Sequence, residues 1–397
     1  MAGSFSSLTS LLRSSAESGY ELVHYGEMIG HTARIDAYVE ALRRSVRSES
    51  VVADLGTGSG IFALMAARLG ARRVFAIEPD DVIQLAKELA VANAVADRIE
   101  FIQDLSTNLE LPERADVIVF DLGGNLPLYD GQLPSVADAR KRLLREGGVL
   151  LPATDTLYGA LVSAPELYDR HLGIWSQRPY GIDHAPGRRL VAGKRWTTWI
   201  DPEQLLTEPQ SWGVLDYRVL EDPSASAELA WSANRDCLAH GLCLWFERML
   251  LDGVGFTTAP GQPMGVYRHT FLPFETPLEL AEGDEVRVRL RAAYVADDYV
   301  WRWGVRATRG DQVKADFDQS TFESHLLSSS RLKRGAVSYV PKLRSGGEAL
   351  RTALELMDGR LSLAEIAAEL AARFPTRFEG SDAALELVAE LSQQLSE

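Results

Sequence analysis

VVADLGTGSGIFALMAARLGARRVFAIE, residues 51–78, predicts a strand, a glycine turn, a helix and a second strand in that order. Val51 to Leu55 is a short apolar run of the kind that a buried parallel strand needs. Glycines at 56, 58 and 60 then form a turn with little side-chain bulk, so a ligand can approach the backbone. After the helix, Val74 to Ile77 is the second strand, and Glu78 stands at its carboxyl end. An acid there is placed to accept hydrogen bonds from both hydroxyls of a ribose.

The glycine spacing separates two kinds of nucleotide ligand. A dinucleotide fingerprint, G-x-G-x-x-G, needs a third glycine at position 61, where this chain has Ile61. The D-x-G-x-G-x-G pattern resembles motif I of class I S-adenosylmethionine (SAM) methyltransferases instead, and its members are Asp54, Gly56, Gly58 and Gly60. A glycine turn that binds nothing is the alternative. The turn together with Glu78 favours an adenosine-type ligand.

Composition excludes several classes of function. The 397 residues carry a net charge of −15, which argues against non-specific nucleic-acid binding because phosphate contacts need clustered Lys and Arg. Cys237 and Cys243 are the only cysteines, so the sequence predicts neither a disulfide framework nor a zinc site, and it favours a reducing, cytoplasmic location. We find no signal-peptide pattern, no apolar run of the roughly 18 residues that a membrane span needs, and no metal-ligand cluster.

The first 152 residues predict helices followed by a doubly wound α/β domain. Residues 1–50 are expected to be helices that cover the cofactor, with Met28 to Val46 as one amphipathic helix, and residues 51–152 to be the Rossmann-type domain. Strands alternate with helices, which predicts a parallel sheet whose ligand lies beyond the carboxyl ends of its strands. Three acids stand at such ends: Glu78, Asp104 and Asp121. Any one of them could instead cap a helix.

The remainder predicts two further domains. Residues 153–327 alternate apolar and polar residues between Gly and Pro turns, which is typical of an antiparallel β-barrel or sandwich. An insert at 168–206 is rich in Trp and Tyr, and such clusters mark a protein interface or fill a core. Residues 335–397 begin with the strand-like GAVSYV and continue as three short helices, which predicts a small winged-helix fold. Evenly mixed charges there argue against DNA binding.

Residues 20–322 resemble the protein arginine methyltransferases. The resemblance is carried by motif I, by the strand ending in Glu78, by Met28 and Arg34 on the helix before the sheet, by YGIDHAPGRRL at 180–190 and by GFTTAP at 255–260. It implies a Rossmann-type domain, then a β-barrel interrupted by a dimerisation arm, and hence a homodimer. It implies SAM as the cofactor, with Arg34 pairing with the SAM carboxylate. The residues then expected to bind the cofactor are Met28, Arg34, Asp54, Gly56, Gly58, Gly60, Glu78 and Asp104.

The chain departs from that family where the substrate would bind. Two family glutamates that clamp a guanidinium match Asp121 and Asp130 in FDLGGNLPLYDG, which are the predicted catalytic residues. The family's Thr-His-Trp loop matches Gly265-Val266-Tyr267, so its histidine is absent. The predicted substrate residues are Tyr25, Tyr129 and His269. A histidine buried in a barrel strand is the more favoured interpretation of His269.

Two shortened acids change what the site can hold. Each aspartate reaches about 1.5 Å less than a glutamate, because it lacks one C–C bond. Either the backbone moves inward around a guanidinium, or the substrate is different: a free amino acid, an amide, a hydroxyl or a carboxylate. An aspartate that binds no cation could act as a general base. Asp121 could also simply cap the next turn.

The C-terminal segment resembles PqqD-type domains, which are winged-helix modules that bind peptides, and Asp358 to Leu370 carries that likeness. It implies a leader peptide that adds a strand to the wing, in a natural-product pathway. The function predicted is SAM-dependent N-methylation of a guanidinium or amide nitrogen of a small molecule or peptide. The alternatives are O-methylation of a peptide or carrier-linked substrate, and a catalytically silent binding module.

Overall fold

The chain forms two compact units, residues 1–326 and 327–397. The computed structural model describes residues 21–263 and 265–396, so the first 20 positions of the predicted N-terminal helical region lie outside the described residues.

A parallel five-stranded sheet opens the first unit, as the alternation of strands and helices predicts. Its strands are β1 (Val51–Leu55), β2 (Arg73–Ile77), β3 (Ile99–Ile102), β4 (Ala115–Phe120) and β5 (Leu144–Leu151), in the order β3-β2-β1-β4-β5. The order reverses between β1 and β4, so the carboxyl ends of these two strands flank the crevice where such sheets bind ligands. All five residues of β1 are buried, which is why this strand is a continuous apolar run.

Within residues 21–152, five α-helices accompany this sheet. They are α1 (Leu22–Gly30), α2 (Thr32–Ser45), α3 (Ile61–Arg68), α4 (Ile83–Ala92) and α5 (Gln132–Arg142). The single helix predicted over 28–46 is wrong, because His31 has φ −77° and ψ 80° and separates α1 from α2. Helix α2 packs on the sheet through Tyr38 and Leu42, which are fully buried.

Two antiparallel sheets follow and confirm a barrel-like β domain. One has the order β7-β12-β10-β6-β8, with β11 also paired to β10, and the other has the order β15-β14-β13-β9. Their bounds are β6 (Thr154–Val162), β7 (Trp196–Thr198), β8 (Gln210–Asp216), β9 (Ala225–Ser232), β10 (Cys237–Leu251), β11 (Val254–Thr257), β12 (His269–Leu280), β13 (Glu285–Val295), β14 (Asp298–Arg309) and β15 (Gln312–Ser320). Alternate residues of β13 and β14 point into a shared core, where Trp301 and Trp303 are completely buried.

The aromatic insert at 168–206 is a largely irregular excursion from this β domain. It contains the end of α6 (Pro165–Leu172), then α7 (Ala185–Ala192) and strand β7. Tyr168 and Leu172 are buried, whereas Tyr180 is fully exposed and Ile182 is 58% exposed. One part of the insert therefore fills the local core, as predicted, and another part exposes apolar side chains; its use as an interface stays a prediction.

The regular secondary structure in the described residues of the second unit is all helical. Its helices are α8 (Ser329–Gly335), α9 (Ser345–Leu356), α10 (Leu363–Arg373) and α11 (Ser381–Leu395), and α10 begins with the predicted capping box between Ser362 and Glu365. The strand predicted over GAVSYV is wrong: residues 336–340 have no strand partner, and Val337 and Val340 are exposed. The described part of this unit therefore contains the three expected helices and no strand that could form a wing.

Among the described residues, no helix combines the length and the apolar content that crossing a bilayer requires.

Candidate active site

The glycine turn after β1 has the backbone that its sequence predicts. Gly56, Gly58 and Gly60 have φ values of 65°, 55° and 87°, which side chains other than hydrogen rarely tolerate. A Cβ atom added at Gly58 would lie 2.8 Å from Cε1 of Tyr25. The turn therefore allows a ligand to approach its backbone closely. Tyr25, predicted to contact substrate, lies beside the turn.

Glu78 lies next to this turn at the end of β2. Its carboxylate accepts hydrogen bonds from the backbone N–H of Gly58 at 2.9 Å and of Asp80 at 3.0 Å. Burial raises the pKa of Glu78, and these two hydrogen bonds oppose the rise. The strand, the turn and the acid thus meet as the sequence predicts.

Asp54 faces into the protein. It accepts hydrogen bonds from the Thr57 hydroxyl at 2.5 Å and from the Ala63 N–H at 2.9 Å, so it joins β1 to the turn and to α3. Burial raises the pKa of Asp54 to about 7, against the opposing effect of these bonds. In this structure its role is to hold the glycine turn, and a direct contact with a cofactor stays a prediction.

Asp104 is the predicted cofactor residue at the end of β3. Its Oδ1 atom accepts hydrogen bonds from the Leu105 N–H at 2.7 Å and from Asn108 Nδ2 at 2.9 Å. The side chain therefore bonds within its own loop and caps no helix, and its contact with a cofactor stays a prediction.

Arg34 on α2 reaches from the N-terminal helices toward the sheet. Its Nη1 donates a hydrogen bond to the carbonyl of Met28 at 2.9 Å, and its Nε donates to Asp121. Only 5% of Arg34 is exposed, and its guanidinium lies 5.2 Å from the ring centre of Phe62. Burial lowers the pKa of Arg34, but Asp121 outweighs this effect and raises it above the ordinary value. Met28 and Arg34 are thus brought together, as predicted.

Asp121, predicted to clamp a substrate, is already occupied by groups of the chain itself. Its Oδ2 accepts from Arg34, and its Oδ1 accepts from Nη1 of Arg248 and from the hydroxyl of Tyr267. Burial raises the pKa of Asp121, but the two arginines outweigh burial and hold it below its usual value. The carboxylate is therefore ionised and already paired with two cations, so the expected open clamp is not what the structure presents.

Arg248 is the residue that the sequence analysis missed. It lies on β10 and is completely buried, and its Nε and Nη2 donate to Asp155 on β6 at 2.8 and 2.7 Å. Its Nη1 also donates to the hydroxyl of Tyr38 at 3.0 Å. We call Arg34, Asp121, Asp155 and Arg248 the buried ion cluster; its two arginines and two aspartates balance in charge. One signal could have found it, because alternation along β10 places Arg248 on the same buried face as Phe246 and Leu250.

Asp130, the second predicted clamp residue, has different surroundings. It is exposed, with φ 39°, in the loop before α5 beside Tyr129, which is also exposed. Burial lowers the pKa of Arg195, and Asp298, Tyr129 and Asp130 oppose that effect, which places these groups within electrostatic range of Arg195. The two acids thus differ, since Asp121 is buried and paired while Asp130 faces solvent near an arginine.

His269 is a structural histidine, so the structure argues against its predicted contact with substrate. Its Nδ1 accepts a hydrogen bond from the Ile200 N–H at 2.9 Å, and its Nε2 bonds the carbonyl of Thr258 at 3.1 Å. Both ring nitrogens are therefore used by the main chain. Burial lowers the pKa of His269, which keeps the ring neutral.

His31, which the prediction of one continuous helix concealed, lies at the site instead. Its ring fits against Gly265, where an added Cβ would lie 2.4 Å from Nε2, and it meets Tyr267 edge to face at 6.2 Å. Its Nδ1 is buried and has no hydrogen-bond partner among the described residues. Burial lowers the pKa of His31, Arg34 adds to that effect and Asp121 opposes it, so the ring is neutral near pH 7.

A cavity of about 290 Å³ opens beside His31. Its walls come from the start of α2, from β11, from the loop that precedes β12 and from Trp199 after β7. They are His31, Ala33, Trp199, Gly255, Phe256, Thr257, Thr258, Ala259, Gln262, Pro263, Gly265 and Tyr267. Tyr267 belongs both to this wall and to the contacts of Asp121, so the cavity adjoins the buried ion cluster. No group of His, Cys, Asp and Glu suited to a metal ion occurs within residues 21–263 and 265–396.

Breaking the buried ion cluster should cost stability. We expect Arg248→Met to lower the free energy of unfolding by about 3–5 kcal/mol in urea titrations, because Asp155 is left buried without its cation. The double variant Asp155→Leu, Arg248→Met removes both charges and should recover a large part of that loss. Arg302→Met on the exposed face of β14 is the control and should change stability by about 0.5 kcal/mol or less. A single variant as stable as the control would contradict the role given to Arg248.

The raised pKa of Asp54 predicts a pH dependence of stability. An aspartate titrates near 3.8 when unperturbed and near 7 here, so the folded state holds an extra proton between these values. Stability should therefore fall as pH rises from about 4 to about 7. The Asp54→Asn variant should lack this pH dependence. The difference in free energy of unfolding between variant and wild type should therefore change by roughly 2–4 kcal/mol over that range. Asp311→Asn, in the exposed turn before β15, should follow the wild-type slope. If the free energy of unfolding changes with pH equally in Asp54→Asn and wild type, Asp54 is not protonated in the folded state as inferred here.

Two family models match the first unit in succession. Residues 31–126 match ribosomal protein L11 methyltransferase, PrmA, and residues 153–306 match the arginine methyltransferase oligomerization subdomain. The first model covers the glycine turn, Glu78 and Asp121, and the second covers Arg248 and the aromatic insert. The matched regions therefore join a methyltransferase domain to the β domain found in arginine methyltransferases.

Curated relatives carry arginine methyltransferase names. The chain is 32% identical over 230 residues to a probable protein arginine N-methyltransferase 6 of Arabidopsis thaliana, covering 56% of this chain and 53% of the relative. It is 29% identical over 316 residues to a probable histone-arginine methyltransferase 1.4 of Arabidopsis thaliana, covering 73% and 60%. It is 26% identical to protein arginine N-methyltransferase 1 of Saccharomyces cerevisiae, covering 67% and 80%. The chain thus spans about half to two thirds of the first relatives it matches.

Solved structures show the same fold. The Trypanosoma brucei PRMT1 enzyme-prozyme heterotetrameric complex with AdoHcy matches with a TM-score of 0.69 at 24% identity, covering 75% of this chain and 96% of the other. Arabidopsis thaliana protein arginine methyltransferase 10 matches with a TM-score of 0.66 at 21% identity, covering 76% and 98%. The similarity confirms the Rossmann-like domain and the barrel-like β domain in one arrangement.

Proposed function

We propose that this chain is a SAM-dependent methyltransferase, built like the arginine methyltransferases, that methylates a nitrogen of a small molecule or peptide. One observation carries the proposal: the three positive-φ glycines and Glu78 meet at the carboxyl ends of β1 and β2, and the Arg34 guanidinium lies 5.2 Å from the ring of Phe62, which closely follows the glycine turn. The names of the relatives and of the family models support it. SAM, when bound, supplies a methyl group on a positively charged sulfur.

The residues present fit that cofactor. Because Gly58 has no Cβ, a ligand can come close to the backbone of the turn. Glu78 offers a buried carboxylate suited to two ribose hydroxyls. Arg34 offers a buried guanidinium suited to a carboxylate, and Met28 lies within reach of that arginine. Glu78 would thus bind the ribose of the cofactor, and Arg34, which already donates to Asp121 and Met28, would bind the cofactor carboxylate.

Alternatives differ in their support. Transfer to an oxygen needs the same cofactor contacts, so it differs only in the acceptor. A catalytically silent binding module has no need of a buried Arg34 and Glu78 on either side of a glycine turn, which favours the enzyme. A peptide substrate held by a leader strand loses its structural argument, because the described part of the second unit offers no strand edge.

The ribose assignment gives a direct test. Glu78→Ala should weaken the binding of S-adenosylhomocysteine by about tenfold to a hundredfold in calorimetry, because charge-assisted hydrogen bonds to the ribose are lost. Glu100→Ala is the matched control, since Glu100 lies on β3 in an exposed ion pair with Arg73, and it should bind like wild type. Unchanged affinity in Glu78→Ala would show that the ribose assignment is wrong.

We also propose a homodimer that forms through the insert at 168–206. Its apolar side chains face solvent at Ile174, Tyr180 and Ile182, and exposed patches of this kind are typical of protein interfaces. The match to an oligomerization subdomain supports the proposal.

Light scattering tests whether the insert at 168–206 forms the dimer interface. Wild type should have the mass of a dimer, and the Tyr180→Asp, Ile182→Asp double variant should have the mass of a monomer, because buried unpaired carboxylates disfavour the interface. Val219→Asp, at an exposed apolar position after β8, is the control and should stay dimeric. A monomeric wild type at high concentration would exclude the arm as an interface.

A further inference from the structure

We infer that the chain has a second binding site, a cavity lined by four arginines that takes a phosphoryl group, either as free phosphate or as the monoester of a small molecule. The cavity has a volume of about 300 Å³. Its arginines are Arg114, Arg140, Arg145 and Arg218, and its other walls are Leu144, Glu146, Gly147, Gly148 and Leu150. None of these residues belongs to the site proposed for the cofactor, so the inference stands apart from the proposed function.

The cavity lies at the opposite end of the parallel strands from the glycine turn. Arg114 directly precedes β4, and Leu144 begins β5 and pairs with Ala115, so these residues mark the amino ends of the two strands. Glu78 and Asp121 follow the carboxyl ends of β2 and β4. An anion in this cavity would therefore leave the cofactor crevice free.

An irregularity in β5 shapes the cavity. Residues 145–148 of β5 lie between the same two strand pairs as the single residue Asp116 of β4. Gly147 has φ 70° within this bulge, a conformation that favours glycine. Bulges of this kind re-aim side chains and are over-represented beside functional sites. Here the bulge contributes Arg145 to the wall.

Arg114 keeps most of its hydrogen-bond donors for a ligand. It is exposed, its Nη1 donates to the carbonyl of Leu144 at 3.1 Å, and it forms no ion pair with the residues that the structure describes. A guanidinium has five N–H donors, and it binds a phosphate through two of them in parallel. The donors of Arg114 that are not used by Leu144 are therefore available to an anion.

The other three arginines are held by carboxylates that are not part of the wall. The pairs are Arg145 with Asp116 at 2.7 Å, Arg218 with Asp216 at 2.7 Å and Arg140 with Glu221 at 2.6 Å. Glu221 also pairs with Lys141, so one carboxylate serves two cations. The wall itself carries four cations and the single carboxylate of Glu146. In a chain of net charge −15, this local excess of positive charge favours a multiply charged anion.

A phosphoryl group suits these walls better than an acidic protein segment does. It carries about two negative charges at pH 7 and several acceptor oxygens, so more than one guanidinium can bind it at once. The arginines converge on one cavity from separate elements, whereas an acidic segment needs a row of cations along an open surface. Arg218 follows β8 of the β domain and Arg114 belongs to the parallel sheet, so a bound anion would also link these two parts.

Calorimetry with inorganic phosphate and with phenyl phosphate tests the site and separates a free ion from an ester. At constant ionic strength, we expect at least one of them to bind at millimolar concentration or below, with an affinity that S-adenosylhomocysteine leaves unchanged. Tighter binding of phenyl phosphate would assign the site to an ester. No binding of either probe, competition with S-adenosylhomocysteine, or tighter binding of tetraglutamate would overturn the inference. Failure of S-adenosylhomocysteine itself to bind would count against the proposed function alone.

Two variants locate the anion. Arg114→Gln and Arg218→Gln change exposed side chains, and each should weaken binding of the phosphate probe roughly tenfold, because charge-assisted hydrogen bonds are lost. Arg306→Gln on β14 is the matched control, since Arg306 is an exposed arginine that pairs with Asp316, and it should bind the probe like wild type. Wild-type affinity in both Arg114→Gln and Arg218→Gln would overturn the inference, as would an equal loss in the control.

Discussion

The ion pair between Arg248 and Asp155 is the constraint on which the rest of the site depends. Neither side chain has any solvent exposure, and two charges without water persist only when their hydrogen bonds are made to each other and to fixed neighbours. The pair achieves this with two parallel bonds, with the hydroxyl of Tyr217 on Asp155 and with that of Tyr38 on Arg248. A fourth donor of Arg248 is directed at Asp121.

These contacts join parts of the chain that are far apart in sequence. Arg34 and Tyr38 come from α2, Asp121 follows β4 of the parallel sheet, and the remaining members come from the β domain. The cluster therefore holds α2, the parallel sheet and the β domain together through side-chain hydrogen bonds.

Local pattern was enough to predict much of this arrangement. The run from Val51 to Glu78 has the predicted strand, turn, helix and strand, because each depends on neighbours in sequence. Arg248 and Asp155 are 93 residues apart, and no local rule pairs them; alternation in β10 gives only the burial of Arg248. His31 was hidden because helical periodicity continues across a single non-helical residue. The strand predicted over GAVSYV is wrong because its valines find no neighbouring strand, and β propensity depends on such partners.

The glycine at 56 leaves room for a residue of the neighbouring strand end. A Cβ atom at this position would lie 2.1 Å from Cδ2 of Leu122, which directly follows Asp121 in the chain. Any larger residue at 56 would require the Leu122 side chain to move. The turn after β1 and the segment after β4 are therefore packed against each other, and the choice of glycine at 56 depends on a residue 66 positions away as well as on its own positive φ.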